Sequence, residues 1–539
     1  ELFFLNRYEL YYNVQLYLGG RASPDGPDGW RTAREGRAGQ PSIDDRQSID
    51  NRQSIDNRQS KRRKKAQAMS EFRIEHDFLG DKEVPKDAYY GVQSLRAMEN
   101  FPITGYRIDD ALIDALAVVK KAAARANWET GHMEERIAKA IMEAADEIAS
   151  GKLHDQFLVD PIQGGAGTSI NMNGNEVIAN RALEILGEEK GNYKVVSPNS
   201  HVNMAQSTND AFPTAVHLAI LTRLEGLLEA MGELKAAFEA KSEEFDGVIK
   251  MGRTHLQDAV PIRLGQEFGA HACVLGRDIE RIGRTREHLY EVNMGATAVG
   301  TGLNADPDYI ELVDRYLAEY SGFPIKGVSN LVDGTQNTDS YLEVSSALKI
   351  CMISMSKIMN DLRMMASGPR CGLGEINLPP RQPGSSIMPG KVNPVMAEVM
   401  NQSAFQVVGN DLTIALACEA GQFELNVMEP VLVFNLLQSI TIMTNVFTVF
   451  RTHCLSGITA NEDVMQGYVD NSVGVITAIN PHVGYETAAA VAKEAIATKR
   501  PVREIVLEKG VLTEEALDVI MHPMEMTHPG IAGKELLEK

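Results

Sequence analysis

Gly384-Ser-Ser-Ile-Met-Pro-Gly-Lys-Val-Asn-Pro394 is the stretch on which the reading of this chain turns. Two glycines and two prolines in so short a run forbid a regular helix or a central strand, and the glycines supply the backbone freedom of a hinged segment. Ser385, Ser386, Lys391 and Asn393 offer two hydroxyls, an ammonium and an amide, while Ile387 and Met388 place apolar side chains among them. An ordinary surface turn has no need of that combination; a flap that covers a site and excludes water does. Hydroxyls and amides donate hydrogen bonds and a lysine neutralises charge, so the set suits a small anionic substrate carrying carboxylates. A serine can also take up a proton if fixed donors and a cation offset the cost of its alkoxide, about 1.4 kcal/mol per pKa unit.

Gly384–Pro394 resembles the signature loop of the aspartase/fumarase superfamily, and the resemblance runs nearly continuously from about residue 73 to 533. It implies a mainly α fold: a three-domain subunit around a central bundle of long helices. In that family the first serine of the pair is the catalytic base, which implies Ser385 here. The implied domains are 69–208, a central helical bundle at 209–463 and a small C-terminal domain at 464–539.

Three further polar segments match the family's substrate positions. The first, Ile162-Gln-Gly-Gly-Ala-Gly-Thr-Ser169, is glycine-rich, but no Gly-Lys-Ser/Thr follows, which removes the phosphate-loop reading. Thr168 is the implied ligand position there. The second holds Ser207, Thr208 and Asn209 just before a long helical pattern. Such a trio can serve simply as a helix cap, and free amides at a helix entrance also attract an anion. The third holds Thr254 and His255, where a lone histidine would by itself be read as structural. By family pattern the implied site comprises Ser385, His255 and Lys391 as catalytic groups. Thr168, Ser207, Thr208, Asn209, Thr254, Ser386 and Asn393 join His255 and Lys391 as substrate-binding groups.

Residues flanking these segments, Thr168-Ser169, Ser207-Thr208-Asn209, Arg381-Gln382-Pro383 and Glu525-Met-Thr-His-Pro529, resemble the aspartase branch rather than the fumarase branch. The implied reaction is reversible loss of ammonia from L-aspartate to give fumarate, through an aci-carboxylate intermediate. Hydration of fumarate is the alternative, and a structural relative that has lost its chemistry is another. The resemblance implies a homotetramer whose sites draw on several subunits, with no organic cofactor required, divalent-metal activation possible, and no clustered carboxylates that would place a metal.

Composition agrees with packed helices: 44% hydrophobic, only 6% aromatic, with 23 Met. The net charge of -20 argues against a nucleic-acid surface. Cys273, Cys351, Cys371, Cys418 and Cys454 are odd in number and widely spaced, which fits a reducing cytoplasm. Cys371 is expected to be a small buried residue rather than a nucleophile. Pro430–Phe450 carries no charge over a length that could span a membrane, but its many Asn, Gln, Ser and Thr point to a helix buried all round within a bundle.

Helical periodicity appears over 110–127, 134–149, 214–245, 264–292, 337–366 and 394–417, whereas 72–101 reads as loop. Residues 1–68 differ in kind. They hold the repeat SIDDRQ-SIDNRQ-SIDNRQ at 42–59 and the basic run Lys61–Lys65, read as a solvated linker, and Met69 looks like a natural start. This segment is expected to be a disordered extension from upstream translation or a fusion, outside the fold. The remaining 69–539 carries 40 basic against 64 acidic side chains.

Overall fold

The computed structural model describes residues 71–537, so the expectations for 1–68 lie outside the described residues. The chain opens with an antiparallel hairpin, β1 (Phe72–Asp77) and β2 (Gly80–Pro85), and a short helix α1 (Val92–Asn100). The loop expected over 72–101 is therefore wrong. The strands are rich in Arg, Glu, Asp and Lys, and only Glu75 in β1 and Val84 in β2 are buried, so the alternation of apolar residues that marks a strand is missing. Pairing is anchored instead by Arg73, whose guanidinium donates to Glu75 and to the carbonyls of Pro85, Lys86, Ala88 and Tyr90.

Helices then take over: α2 (Asp110–Glu129), α3 (Glu135–Ala149), α4 (Thr168–Ile185) and α5 (Thr208–Glu244). At 37 residues, α5 runs about 55 Å. A second hairpin, β3 (Ile249–Thr254) and β4 (Gln257–Arg263), leads into α6 (Leu264–Leu289), and α7 (Pro307–Ser321) follows. The long helices α8 (Asp339–Met365), α9 (Val395–Glu419) and α10 (Glu429–His453) complete the centre. Packing closes them into a ring: α5 against α6, α6 against α8, α8 against α9, α9 against α10, and α10 back against α5. One continuous apolar cluster runs through it, with Phe238, Phe268, Met352, Met359, Leu436 and Phe447 among its fully buried members. Residues 469–532 form short helices with an apolar cluster of their own, shared with Ile249 and Met251 of β3.

Two further expectations are corrected. α10 is not buried all round, because Asn445, Thr448 and Val449 face out. Its length and apolar composition would let it cross a membrane, yet Leu432, Leu436, Ile440, Met443 and Phe447 are packed against other helices. Cys371 is exposed, because it lies in the glycine-rich turn after α8, where no second layer covers it.

Candidate active site

The eleven-residue loop is stapled at its base. Gly384 N donates to Lys391 O at 2.8 Å, and Asn393 Nδ2 donates to Gly384 O at 3.1 Å. A side chain at 384 would bring a Cβ to 2.6 Å from Lys391 O, so only glycine closes this staple. Within the loop, the Ser385 Oγ accepts from the backbone N–H groups of Ile387 at 3.1 Å and Met388 at 3.2 Å. Two donors aimed at one hydroxyl oxygen stabilise negative charge there, which is what a serine needs to hold a proton-accepting form. Ile387 is 82% exposed and Met388 48%, as an open flap would leave them. Lys391, Asn393, Glu398 and Arg363 line a groove of about 640 Å³ between the loop and the end of α8. Glu398 and Arg363 were not singled out from sequence. Glu398 is a lone charge in its helical pattern and Arg363 follows Asp361 in another, so neither is distinguishable there from a solvated face.

Thr168 opens α4 after Gly167, whose φ of +87° and whose contact with the Phe212 ring both require glycine. Its hydroxyl donates to Gly165 O at 2.7 Å. Ser207 caps α5: its Oγ accepts from Asn209 N at 3.2 Å, while its own N–H donates to Asp210 Oδ1 at 2.9 Å, a reciprocal capping box. Thr208 Oγ1 accepts from Asn171 Nδ2 at 3.1 Å. Asn209 Nδ2 donates to Ala298 O at 2.7 Å, which leaves its amide oxygen as an acceptor. Beneath these residues lie Lys120 and Asp210, both fully buried. Burial pushes the lysine down and the carboxyl up, each to about 7. Asn171 and Asn173, which in sequence are amides following a flexible glycine-rich turn, are instead buried inside α4, and so is Asn175.

Thr254 and His255 lie at the tip of the β3–β4 hairpin, with His255 at φ +55° and Leu256 at +61°. Two consecutive left-handed non-glycine residues make a tight, strained turn that carries both site residues into solvent. The hairpin is pinned below by buried Glu375, which takes Arg253 at 2.8 Å and Lys250 at 3.3 Å.

The structure thus brings Thr168, Ser207, Thr208 and Asn209 to the entrances of α4 and α5, Ser385, Ser386, Lys391 and Asn393 to the loop, and Thr254 with His255 to the hairpin tip. Among the described residues, no hydrogen bond or ion pair joins any of these three groups to another. Among them too, no group of three or more His, Cys, Asp or Glu side chains is arranged to hold a metal ion.

Residues 80–409 match the family described as lyase, and 475–528 match the C-terminus of fumarase C. The chain is 68% identical over 466 residues to an aspartate ammonia-lyase from a Bacillus species, covering 86% of this chain and all of the relative. The chain belongs to the aspartase/fumarase superfamily. Aspartate ammonia-lyase from Bacillus subtilis strain 168 is 67% identical over 469 residues, covering 87% of this chain and 99% of that one. Among solved structures, fumarate lyase:delta crystallin from Brucella melitensis, bound to cobalt, superposes with a TM-score of 0.83 at 48% identity. That match covers 85% of this chain and 100% of the other. The mainly α fold of the superfamily is the one found here.

Proposed function

We infer that the protein is an aspartate ammonia-lyase, a carbon–nitrogen lyase that reversibly converts L-aspartate to fumarate and ammonia. The observation that carries this reading is the 68% identity over the whole length of a relative of that name, with every polar site position in place.

In the proposed mechanism Ser385 removes the proton from the carbon next to the β-carboxylate. That carbon becomes acidic only as its carboxylate accepts charge as an aci-carboxylate, so donors to the carboxylate oxygens are the main demand. Ser207, Thr208 and Ser386 supply them, and Thr168 joins them when its hydroxyl hydrogen turns from Gly165 O to the substrate. Lys391 and Asn393 hold the α-carboxylate, while Asn209, Thr254 and His255 meet the amine or the neighbouring carboxylate. The acceptor left free on Asn209 supports that assignment. Collapse of the aci-carboxylate expels ammonia and leaves fumarate. The proposed reaction draws on no organic cofactor; turnover is expected to persist after dialysis against a chelator, and a gain on adding back a divalent cation would be the activation that the family resemblance allows.

The proposed assembly is a homotetramer with shared sites. Support comes from the lack, among the described residues, of any hydrogen bond or ion pair joining the three site groups within one subunit, and from the apolar face left on α8 and α9, where Ile350, Ile353, Phe405, Leu412 and Leu416 are exposed. A cytoplasmic location agrees with the five unpaired cysteines.

The deciding experiment offers the purified protein L-aspartate, L-malate and argininosuccinate separately and follows fumarate by ultraviolet absorbance. Activity on L-aspartate alone is expected, with fumarate consumed only when ammonia is present. Hydration of fumarate without ammonia would make it a fumarase, and inertness toward all three substrates would favour a structural relative.

A further inference from the structure

A hydroxyl can donate or accept, and a carboxylate needs it to donate. For Thr208 that choice is made beneath the surface. Lys120 lies fully buried in α2, its nitrogen donating to Asn203 Oδ1 at 2.9 Å and Gln206 Oε1 at 2.8 Å. Lysine offers only donors when charged, and even the neutral amine has two hydrogens, enough for both contacts. Asn203 Nδ2 donates to the backbone carbonyl of Gln206 at 3.1 Å, an oxygen that can only accept, and this fixes the amide oxygen of Asn203 toward Lys120.

The same oxygen receives Asn171 Nδ2 at 3.2 Å and Asn175 Nδ2 at 3.1 Å. Turning the Asn171 amide over would set two carbonyl oxygens 3.2 Å apart. Its nitrogen is thereby held in place and also donates to Thr208 Oγ1 at 3.1 Å. The arrangement leaves Asn171 Oδ1 and Asn175 Oδ1 buried with no partner among the described residues. Buried orphan acceptors are costly and call for a reason. Here the reason is direction: Asn171 and Asn175 both turn their hydrogens toward Asn203 Oδ1, and Asn171 also donates to the Thr208 oxygen, which is thereby used as an acceptor from below and keeps its own hydrogen free for a partner on the other side.

We propose that Lys120, Asn203 and Asn171 are positioning residues that fix the hydrogen-bond polarity of Thr208, so that its hydroxyl meets the substrate carboxylate as a donor. This rests on the reading of Thr208 as a substrate-binding group, and the test separates the two. Asn171→Asp keeps the shape but cannot donate to both Asn203 and Thr208 in either charge state. Thr208→Val removes the hydroxyl and keeps the branch. Each is expected to lower turnover of L-aspartate about 100-fold, mainly in kcat, as loss of one transition-state donor does. The double variant is expected to be no worse than Thr208→Val by more than about twofold, because Asn171 acts through that hydroxyl. Lys120→Met is expected to show the same dependence on Thr208. Losses that multiply in the double variant would overturn the proposal and make Asn171 merely structural. Normal turnover in Thr208→Val alone would overturn the reading of Thr208, and the proposal with it. Should Asn171→Asp fail to assemble, Asn171→Leu, which removes the donor without adding a charge, takes its place with the same expected pattern.

Discussion

Ser385 owes its proposed reactivity to two backbone N–H groups rather than to a neighbouring histidine, and that sets the expected behaviour of its variants. Ser385→Ala removes the oxygen from a partly exposed loop and disturbs no packed side chain. Turnover is expected to fall by about 1,000-fold or more while melting temperature and assembly stay unchanged. Fumarate absorbance and circular dichroism check this, and near-normal turnover would move the base elsewhere. Glu429, at the start of α10, makes a different point. Its carboxyl is 3% exposed, its Oε2 has no partner among the described residues, and burial pushes its pKa from 4.5 up to about 8. The folded chain thus keeps a proton that the unfolded chain releases, so this group's contribution to stability declines as pH rises from about 4.5 to about 8 and is level above that. Glu429→Gln is expected to lose less stability than the parent between pH 5 and pH 9, by a few kcal/mol in order of magnitude. Asp210, Glu176 and Asp314, each pushed up to about 7 by burial, act in the same sense, so the variant's curve is shallower rather than flat. Identical pH dependence in parent and variant, followed by denaturant titration, would show that Glu429 is ionised in the fold.

At the scale of elements, the site depends on where helices begin. α4 and α5 start side by side, and their first residues are the proposed substrate donors. Gly167 sets the entry of α4: a methyl there would lie 2.6 Å from the Phe212 ring of α5, at a φ that disfavours any side chain. Gly167→Ala is expected to cost about 1–3 kcal/mol and to raise KM by displacing Thr168. Thermal melts together with steady-state kinetics test this, and an unchanged KM in a destabilised variant would separate Thr168 from binding. The hairpin that carries His255 shows what periodicity misses. Lys250–Asp258 is too polar to read as strand, and it pairs because Glu375, far along the chain, holds Lys250 and Arg253 from below.

For the whole molecule, the exposed apolar face on α8 and α9 makes the proposed link between assembly and activity testable. Leu412→Glu places a charge on that face at a residue 62% exposed in the single subunit. The variant is expected to keep its helix content, elute as a smaller species and lose most activity, measured by light scattering beside the fumarate assay. A fully active small species would mean that one subunit holds a complete site. Helix positions and the polar segments were legible in the sequence itself, because helical periodicity is local and because Gly, Pro, Ser, Thr and Asn fall in short runs between helices. The signature loop likewise carries its chemistry in eleven consecutive residues. What only tertiary structure decided is direction and company. Asn171 reads as a flexible-turn amide, yet burial beside Asn203 and Asn175 turns it into a fixed donor. Glu398 and Arg363 acquire a place beside Lys391 only when α8 and α9 pack together. Hydrogen-bond polarity and groove lining are set by partners distant in the chain, and no local pattern encodes a partner that arrives from tens of residues away.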